Sequence, residues 1–411
     1  MFPLLLLLLL PSLSRGSRAP AWAVAGAPDA SQAHCGFPMP SPGSVASVEV
    51  YHADLTVGAY NHAVMLDWHQ GTFLLTWKNS HRDEDAPGQR ILFAQSADGF
   101  NWTKVGPSSV LFPGISTRAK PAALFGAPTV ILNEKRYAAA SPEQFCLFPA
   151  PAASPVLLRR VGPGIPAALG PVFWLSDSVP AGYEEASAKQ GIKGLKAMDA
   201  ETQADVAQLR NVSRLPCDTT TSLKCEACKD GCDYNYAASA AATTFAPASD
   251  GHDLGGGAEY THYSVPNATD EIILHRTRNH SFTFTHRSAV DAPWSKQRPT
   301  SIQDADSNLN AGTLPDGRIF LTSNACPKGR DPLVVSTSSD GWHFDKAVAV
   351  MTCGSLDGQC KPRYAGRSKN PGQAYPQSVA VTEPESMRYL WVAATNNKED
   401  VWVTRVPFDA L

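Results

Sequence analysis

The 411-residue sequence has no block of Lys or Arg, and its 35 basic and 38 acidic residues leave a formal charge of −3. That near balance argues against a protein that binds nucleic acid through charge. After the first ten residues no stretch approaches about 18 consecutive apolar residues, so no membrane-spanning helix is expected. Charged residues make up only 18% and hydrophobic ones 43%, enough for a sizeable core, which excludes general disorder. Gly (30) and Pro (33) are plentiful, so many turns and few long helices are expected. The nine cysteines are an odd count that composition leaves unexplained.

The unbroken apolar run Leu4–Leu10, followed by Pro11, Ser12 and small residues, reads as the core of a secretory signal peptide. Cleavage is expected between Ser14 and Ala25, giving a signal over 1–24 and a Pro/Ala/Ser-rich leader over 25–44. The sequons at Asn101, Asn211, Asn267 and Asn279 fit a secreted protein, or one held in the secretory lumen. In that oxidising compartment Cys217, Cys225, Cys228 and Cys232 read as two local disulfides rather than a four-thiolate zinc site. Cys353 and Cys360 are expected to pair across a short loop. Cys35, Cys146 and Cys326 remain, without a convincing His partner, and no catalytic cysteine is assigned.

From Val45 onward one unit recurs: an apolar strand, a tight turn and a second apolar strand. The copies are Val64–Trp68 with Thr72–Trp77, Thr129–Leu132 with Tyr137–Ser141, Glu271–Arg276 after the turn at Asn267, Gly312–Leu314 with Arg318–Ser323, and Ser378–Val381 with Tyr389–Ala394. Antiparallel hairpins repeated in this way predict an all-β fold, a β-propeller over 45–411. Ile192, Leu195, Met198, Val206 and Leu209 recur at helical spacing ahead of the cysteine cluster. They predict a helical, cysteine-rich insertion over 183–240, and the remainder accommodates six blades of about 50 residues, with seven the alternative.

A second pattern closes these units: Ser96-Ala97-Asp98-Gly99-Phe100-Asn101-Trp102, Ser338-Ser339-Asp340-Gly341-Trp342-His343-Phe344, and a degenerate copy from Ser288 to Trp294. Asp and Ser side chains close a tight turn, Gly takes a positive φ and the aromatic packs inward. This pattern resembles the Asp box, or BNR repeat, of the sialidase superfamily. The boxes are structural and carry no catalytic role.

Polar residues flanking the innermost strands are the site candidates. The resemblance orders four of them. Sialidases place a Glu before a hairpin whose second strand ends in Arg, then an Arg before a strand leading into an Asp box, then a Tyr opening the next blade. Here these are Glu259, Arg276, Arg330 and Tyr375. The resemblance implies arginines that clamp a substrate carboxylate with their planar fork. It implies Tyr375 as nucleophile with Glu259 as its base, and a first-blade acid, Asp85 or Asp83. His81 and Asn310 complete the polar groups assigned to substrate.

One departure stands out. Sialidases open the first blade with Arg-Ile-Pro, and this chain has Asn61-His62-Ala63. His cannot reproduce guanidinium geometry but suits proton abstraction. His62, Tyr260 and Arg276 therefore also resemble the site of the propeller polysaccharide lyases, where Arg neutralises a uronate and His or Tyr removes the C5 proton. Three expectations follow: a secreted glycoside hydrolase acting on an acidic glycan, a lyase cleaving a uronate-containing polymer, or a non-catalytic glycan-binding propeller. The first two require no metal or organic cofactor.

Overall fold

The computed structural model describes residues 18–41, 43–124, 129–142, 155–212, 256–277, 280–289, 292, 294–356, 358 and 360–411. The expected cysteine cluster at 217–232 and Cys146 lie outside these residues.

The described residues form five antiparallel meanders of four or five strands. The first sheet runs Tyr60–His69, Thr72–Ser80, Arg90–Ser96 and Val110–Phe112. The second runs Thr129–Leu132, Lys135–Ala140, Leu157–Val161 and Leu169–Trp174, with the short parallel strand Lys193–Gly194 at its edge. The third is Gly256–Ser264, Glu271–Thr277, Ser281–Arg287 and Arg298–Gln303. The fourth is Asn310–Thr313, Ile319–Ser323, Leu333–Ser338 and Lys346–Met351. The fifth takes Gln373–Val381, Tyr389–Asn396 and Asp400–Val406 from the end of the chain and Ala46–Tyr51 from its beginning. That mixed blade closes a ring, and closure is how a β-propeller protects its edges. Each hairpin read from the sequence is present. Five blades are described where six were expected.

Second strands sit between neighbours on both faces. Every residue of Thr72–Ser80 is buried, as a strand covered on both sides requires. Apolar clusters fill the spaces between blades: Phe73, Leu75 and Trp77 meet Trp391, Ala393 and Val403 between the first and fifth, while Leu314, Phe320 and Leu333 meet Leu390 and Val392 between the fourth and fifth. Within the stretch expected as a helical insertion, helices span Glu184–Gln190 and Ala200–Val212. Val206, on the second helix, is buried among Leu132, Tyr137 and Leu158 of the second sheet. No helix among the described residues is long and apolar enough to cross a membrane.

Two Asp boxes are complete. In the first, Oδ1 of Asp98 accepts the main-chain N–H groups of Phe100 and Asn101 at 2.9 and 2.7 Å, and Ser96 Oγ accepts that of Gly99 at 2.8 Å. Gly99 stands at φ +74°, and a Cβ there would collide with the Trp391 ring of the neighbouring blade. The box therefore closes a turn and seats one blade on the next. In the second box Asp340 accepts the N–H groups of Trp342 and His343 at 2.8 and 2.7 Å. Part of the third copy, residues 290, 291 and 293, lies outside the described residues.

The cysteines near the ring differ from expectation. Cys35 is bonded to Cys326. The segment from Arg18 folds back on the fourth sheet, where Ala21–Trp22 pairs in parallel with His343–Phe344, and that return brings the two sulfurs together. Cys353 and Cys360, expected as a pair, are free thiols. Cys353 is buried in a short turn, its main-chain N–H donating to Asp331 at 2.8 Å, while Cys360 is exposed.

Candidate active site

Three innermost strands depart from regular pairing where the candidate residues stand. Tyr60–His69 shifts register between His62 and Met65, with Ala63 at φ +52°. Gln373–Val381 shifts between Ala374 and Gln377, with Tyr375 at φ +54°. Gly256–Ser264 shifts between Gly256 and Tyr260. Bulges re-aim side chains, and Pro376 cannot donate to a ladder, which marks the second bulge in the sequence. A left-handed tyrosine is a conformation a strand holds only under tertiary constraint.

The bulges bring together residues from four blades. The ring centroids of His62 and Tyr375 are 4.0 Å apart. Arg276, on the second strand of the third sheet, donates from Nη1 to the Tyr375 hydroxyl at 2.7 Å. Arg330 lies with its guanidinium carbon 5.7 Å from the Tyr375 ring. It is placed by a close backbone approach: Gly372 stands at φ +87°, where a Cβ would meet the Arg330 carbonyl carbon at 2.8 Å. Asp306 joins the two arginines, its carboxylate 2.6 Å from Nη2 of Arg276 and its main-chain carbonyl 2.6 Å from Nη2 of Arg330.

Behind His62 lies a charged network. Glu84 Oε1 is 3.7 Å from His62 Nε2 and accepts the Tyr60 hydroxyl at 2.9 Å. Lys398 Nζ lies 3.0 Å from Glu84 Oε2, and Lys78 Nζ lies 3.3 Å from Asp85 Oδ1. Lys398 is delivered by the turn of the last hairpin, where Asn397 and Lys398 are both left-handed. Its carbonyl accepts the Asn61 N–H at 2.9 Å, and the Asn61 amide donates to the Glu399 carbonyl at 2.7 Å. Asn61 thus ties the first blade to that turn.

Burial and the surrounding charges of Lys398, Lys78, Arg330 and Arg276 push His62 well below the ordinary imidazole value, so the ring is neutral. Neither of its nitrogens has a hydrogen-bond partner among the described residues. Burial raises the Glu84 carboxyl, but Lys398 and Lys78 outweigh it and hold Glu84 below the usual carboxylate range. Burial pushes Lys398 down to about 8 against the opposing pull of Glu84. Burial, with Glu84 adding to it, pushes the Tyr60 phenol well above its ordinary value, so it remains a donor.

His62, Tyr375, Arg276 and Arg330 therefore converge, while the Asp85 carboxylate is placed by Lys78. Three other candidates do not join them. Asn310 is buried and its Oδ1 accepts the Ser378 N–H at 2.9 Å, so it links the fourth blade to the fifth instead of facing a substrate. His81 is an exposed loop side chain. Asp83 is exposed and its carboxylate accepts the Arg367 N–H at 2.7 Å. Glu259 and Tyr260 lie on the first strand of the third sheet, with Tyr260 opposite His275, and their side chains are outside the described residues. Glu84, Lys398, Asp306, Tyr60 and Lys78 were not singled out from sequence. The nearest signals were polar clusters, Asp304-Ala305-Asp306 before an innermost strand and Asn397-Lys398-Glu399 at a hairpin turn.

Residues 259–387 match the family described as a BNR repeat-like domain, and residues 48–123 match a family of N-terminal β-propellers. A solved structure described as a sialidase aligns with 95% of this chain at a TM-score of 0.64 and 17% identity. A mutant of Trypanosoma rangeli sialidase displaying trans-sialidase activity aligns with 91% at a TM-score of 0.50 and 11% identity. The fold is that of a sialidase-like β-propeller. At these identities the likeness is one of fold, and the chain spans 35% of the first protein and 60% of the second. No curated protein matches the sequence. Within the sialidase-like frame the departure at Asn61-His62-Ala63 has a structural counterpart, since a neutral buried imidazole stands against Tyr375 there.

Proposed function

We propose that this sialidase-like propeller is a secreted glycoside hydrolase that releases a carboxylate-bearing sugar from the end of an acidic glycan. The observation that carries the reading is the Tyr375 hydroxyl, held at 2.7 Å by the Arg276 guanidinium with Arg330 beside the same ring. A cation on the phenol oxygen favours its anionic form, and a phenolate is a competent nucleophile toward an anomeric carbon. Tyr375 attacks that carbon as the glycosidic bond breaks, and Glu259 takes the phenol proton. Asp85, about a third exposed in a turn, protonates the leaving oxygen. The same carboxylate then removes a proton from the water that hydrolyses the sugar–tyrosine bond.

A specific feature favours a second reading. His62 is neutral, buried and unpartnered beside a tyrosine, which is how a base for β-elimination is prepared. In that case His62 removes the C5 proton of a uronate neutralised by Arg276, and Tyr375 or Tyr260 protonates the departing O4.

One experiment separates these. The full chain is incubated with sialylated and uronate-rich glycans, and both free acidic sugar and ultraviolet absorbance of an unsaturated uronate are followed. Free acidic sugar without new absorbance, lost on the order of 10³-fold or more in Tyr375→Phe, supports the hydrolase. New absorbance abolished in His62→Ala replaces it with the lyase. Binding without turnover on either panel removes both in favour of a glycan-binding propeller.

A further inference from the structure

Arg276 is occupied by the protein itself. Its Nε and Nη2 both donate to Oδ1 of Asp306, at 3.0 and 2.6 Å, and its Nη1 donates to Tyr375. Asp306 uses a different atom, its main-chain carbonyl, to accept Nη2 of Arg330. Nη1 of Arg330 is buried and has no hydrogen-bond partner among the described residues. One residue therefore contacts both guanidiniums: its carboxylate takes the Nε/Nη2 edge of Arg276, while on Arg330 its carbonyl reaches Nη2 and Nη1 stays without a hydrogen-bond partner among the described residues.

Asp306 is built to do this. It stands at φ +54°, a conformation Asp tolerates better than most residues. Asp304, two residues earlier, accepts the Ser307 N–H and the Thr277 N–H, each at 3.1 Å. The second bond ties the turn to the residue after Arg276. The Ala305 N–H donates to the Asn324 carbonyl at 2.9 Å, tying the same turn to the fourth sheet. The Asp306 side chain itself is 45% exposed, so core packing does not account for it.

We propose that Asp306 is a positioning residue that commits Arg276 to the Tyr375 oxygen and leaves the substrate carboxylate to Arg330. The proposal rests on the glycosidase reading above and divides the carboxylate clamp that the sialidase resemblance gave to the arginines jointly. A carboxylate on the Nε/Nη2 edge takes the fork that would otherwise grip an acidic sugar. It also locks the plane of the guanidinium, so that Nη1 meets negative charge on the phenol oxygen without reorganising. The carboxylate of the substrate then meets Arg330.

The test uses Asp306→Ala, Asp306→Asn and Arg330→Lys in the full chain. One readout needs no substrate: the ¹⁵N–¹H signal of Arg276 Nε, identified by its loss in Arg276→Lys. It is expected as a slowly exchanging signal in the wild type and in Asp306→Asn, which keeps an acceptor, and to vanish in Asp306→Ala. The second readout is turnover of a carboxylate-bearing glycoside. Asp306→Ala is expected to lower kcat on the order of 10²-fold with KM within about twofold. Asp306→Asn should recover part of that kcat, and Arg330→Lys should chiefly raise KM. An unchanged Arg276 signal in Asp306→Ala, or a raised KM with kcat unchanged, overturns the proposal. The expected Arg276 signals in a protein that turns over no glycoside would support the Asp306 clamp and remove the glycosidase reading.

Discussion

The rings of His62 and Tyr375 meet at 4.0 Å between centroids, on innermost strands of two adjoining blades. Each strand bulges where it delivers its ring. The fifth blade takes strands from both ends of the chain, so the contact exists only once the ring is closed. The same pair of blades thus closes the propeller and holds the two rings together.

That contact makes stability sensitive to acid. The pKa of His62 is depressed in the folded state, while an unfolded His titrates near about 6.5. Below that value the unfolded chain takes up the proton first, so stability is lost as the pH falls. His62→Phe keeps a ring against Tyr375 and removes the titration. The variant is expected to gain on the wild type as the pH goes from 7.5 to 5, read as a widening difference in melting temperature. A difference that does not change with pH would show that His62 does not stay neutral when buried.

The Asp boxes predict a local cost at a distance from the site. Burial raises the Asp98 carboxyl, but hydrogen bonds from Asn101, Phe100 and Ser96 outweigh it and hold it at about 2. Asp98→Ala unmakes these bonds and loosens Gly99 against Trp391. A loss of about 1–3 kcal/mol in urea unfolding is expected. Any glycoside turnover by the folded protein should remain, because the box touches none of the residues around Tyr375.

The segment from Arg18 gives a third prediction. The Ala21 and Ala23 N–H groups donate to the Trp342 and Phe344 carbonyls, each at 2.8 Å, and Cys35 bonds Cys326. A chain that begins at Ala25 should melt below one that begins at Arg18, since the added strand is lost. Cys326→Ser should cost about 2–5 kcal/mol, because the bond closes a very long loop. Equal melting of the two truncations would show that the added strand contributes nothing.

What could be read from the sequence was what is local. Hairpins such as Val64–Trp77 and the boxes around Asp98 and Asp340 are fixed by alternation and turn chemistry within a few residues. Arg276, Arg330 and Tyr375 were legible because they flank such strands in an order that resembles a known family, and His62 because it stands where that family's pattern has Arg-Ile-Pro. Lys398 and Asp306 were not, since their value lies in which turns meet after closure. Asn310 shows the converse limit. A polar residue beside an innermost strand can face the channel or the next blade, and Asn310 faces Ser378. Cys35 could not be matched to Cys326 by spacing, because a returning segment joins them.

Lys398 gives a prediction in which activity and stability move in opposite directions. Burial lowers its ammonium to about 8, whereas an unfolded lysine titrates near about 10.4. As the pH rises through 8 the folded protein loses the charge opposite Glu84, 3.0 Å away, and the network behind His62 loses its cation. Glycoside turnover is expected to fall along that limb. Stability changes the other way, because between about 8 and 10.4 the unfolded chain holds the proton that the folded one has released, so stability rises with pH by up to about 3 kcal/mol. Lys398→Arg keeps its charge throughout. It should carry turnover to higher pH and show no such gain in stability, when melting at pH 7 and 9.5 is compared with the wild type. If turnover by the wild type and by Lys398→Arg falls at the same pH, Lys398 is not the group that titrates.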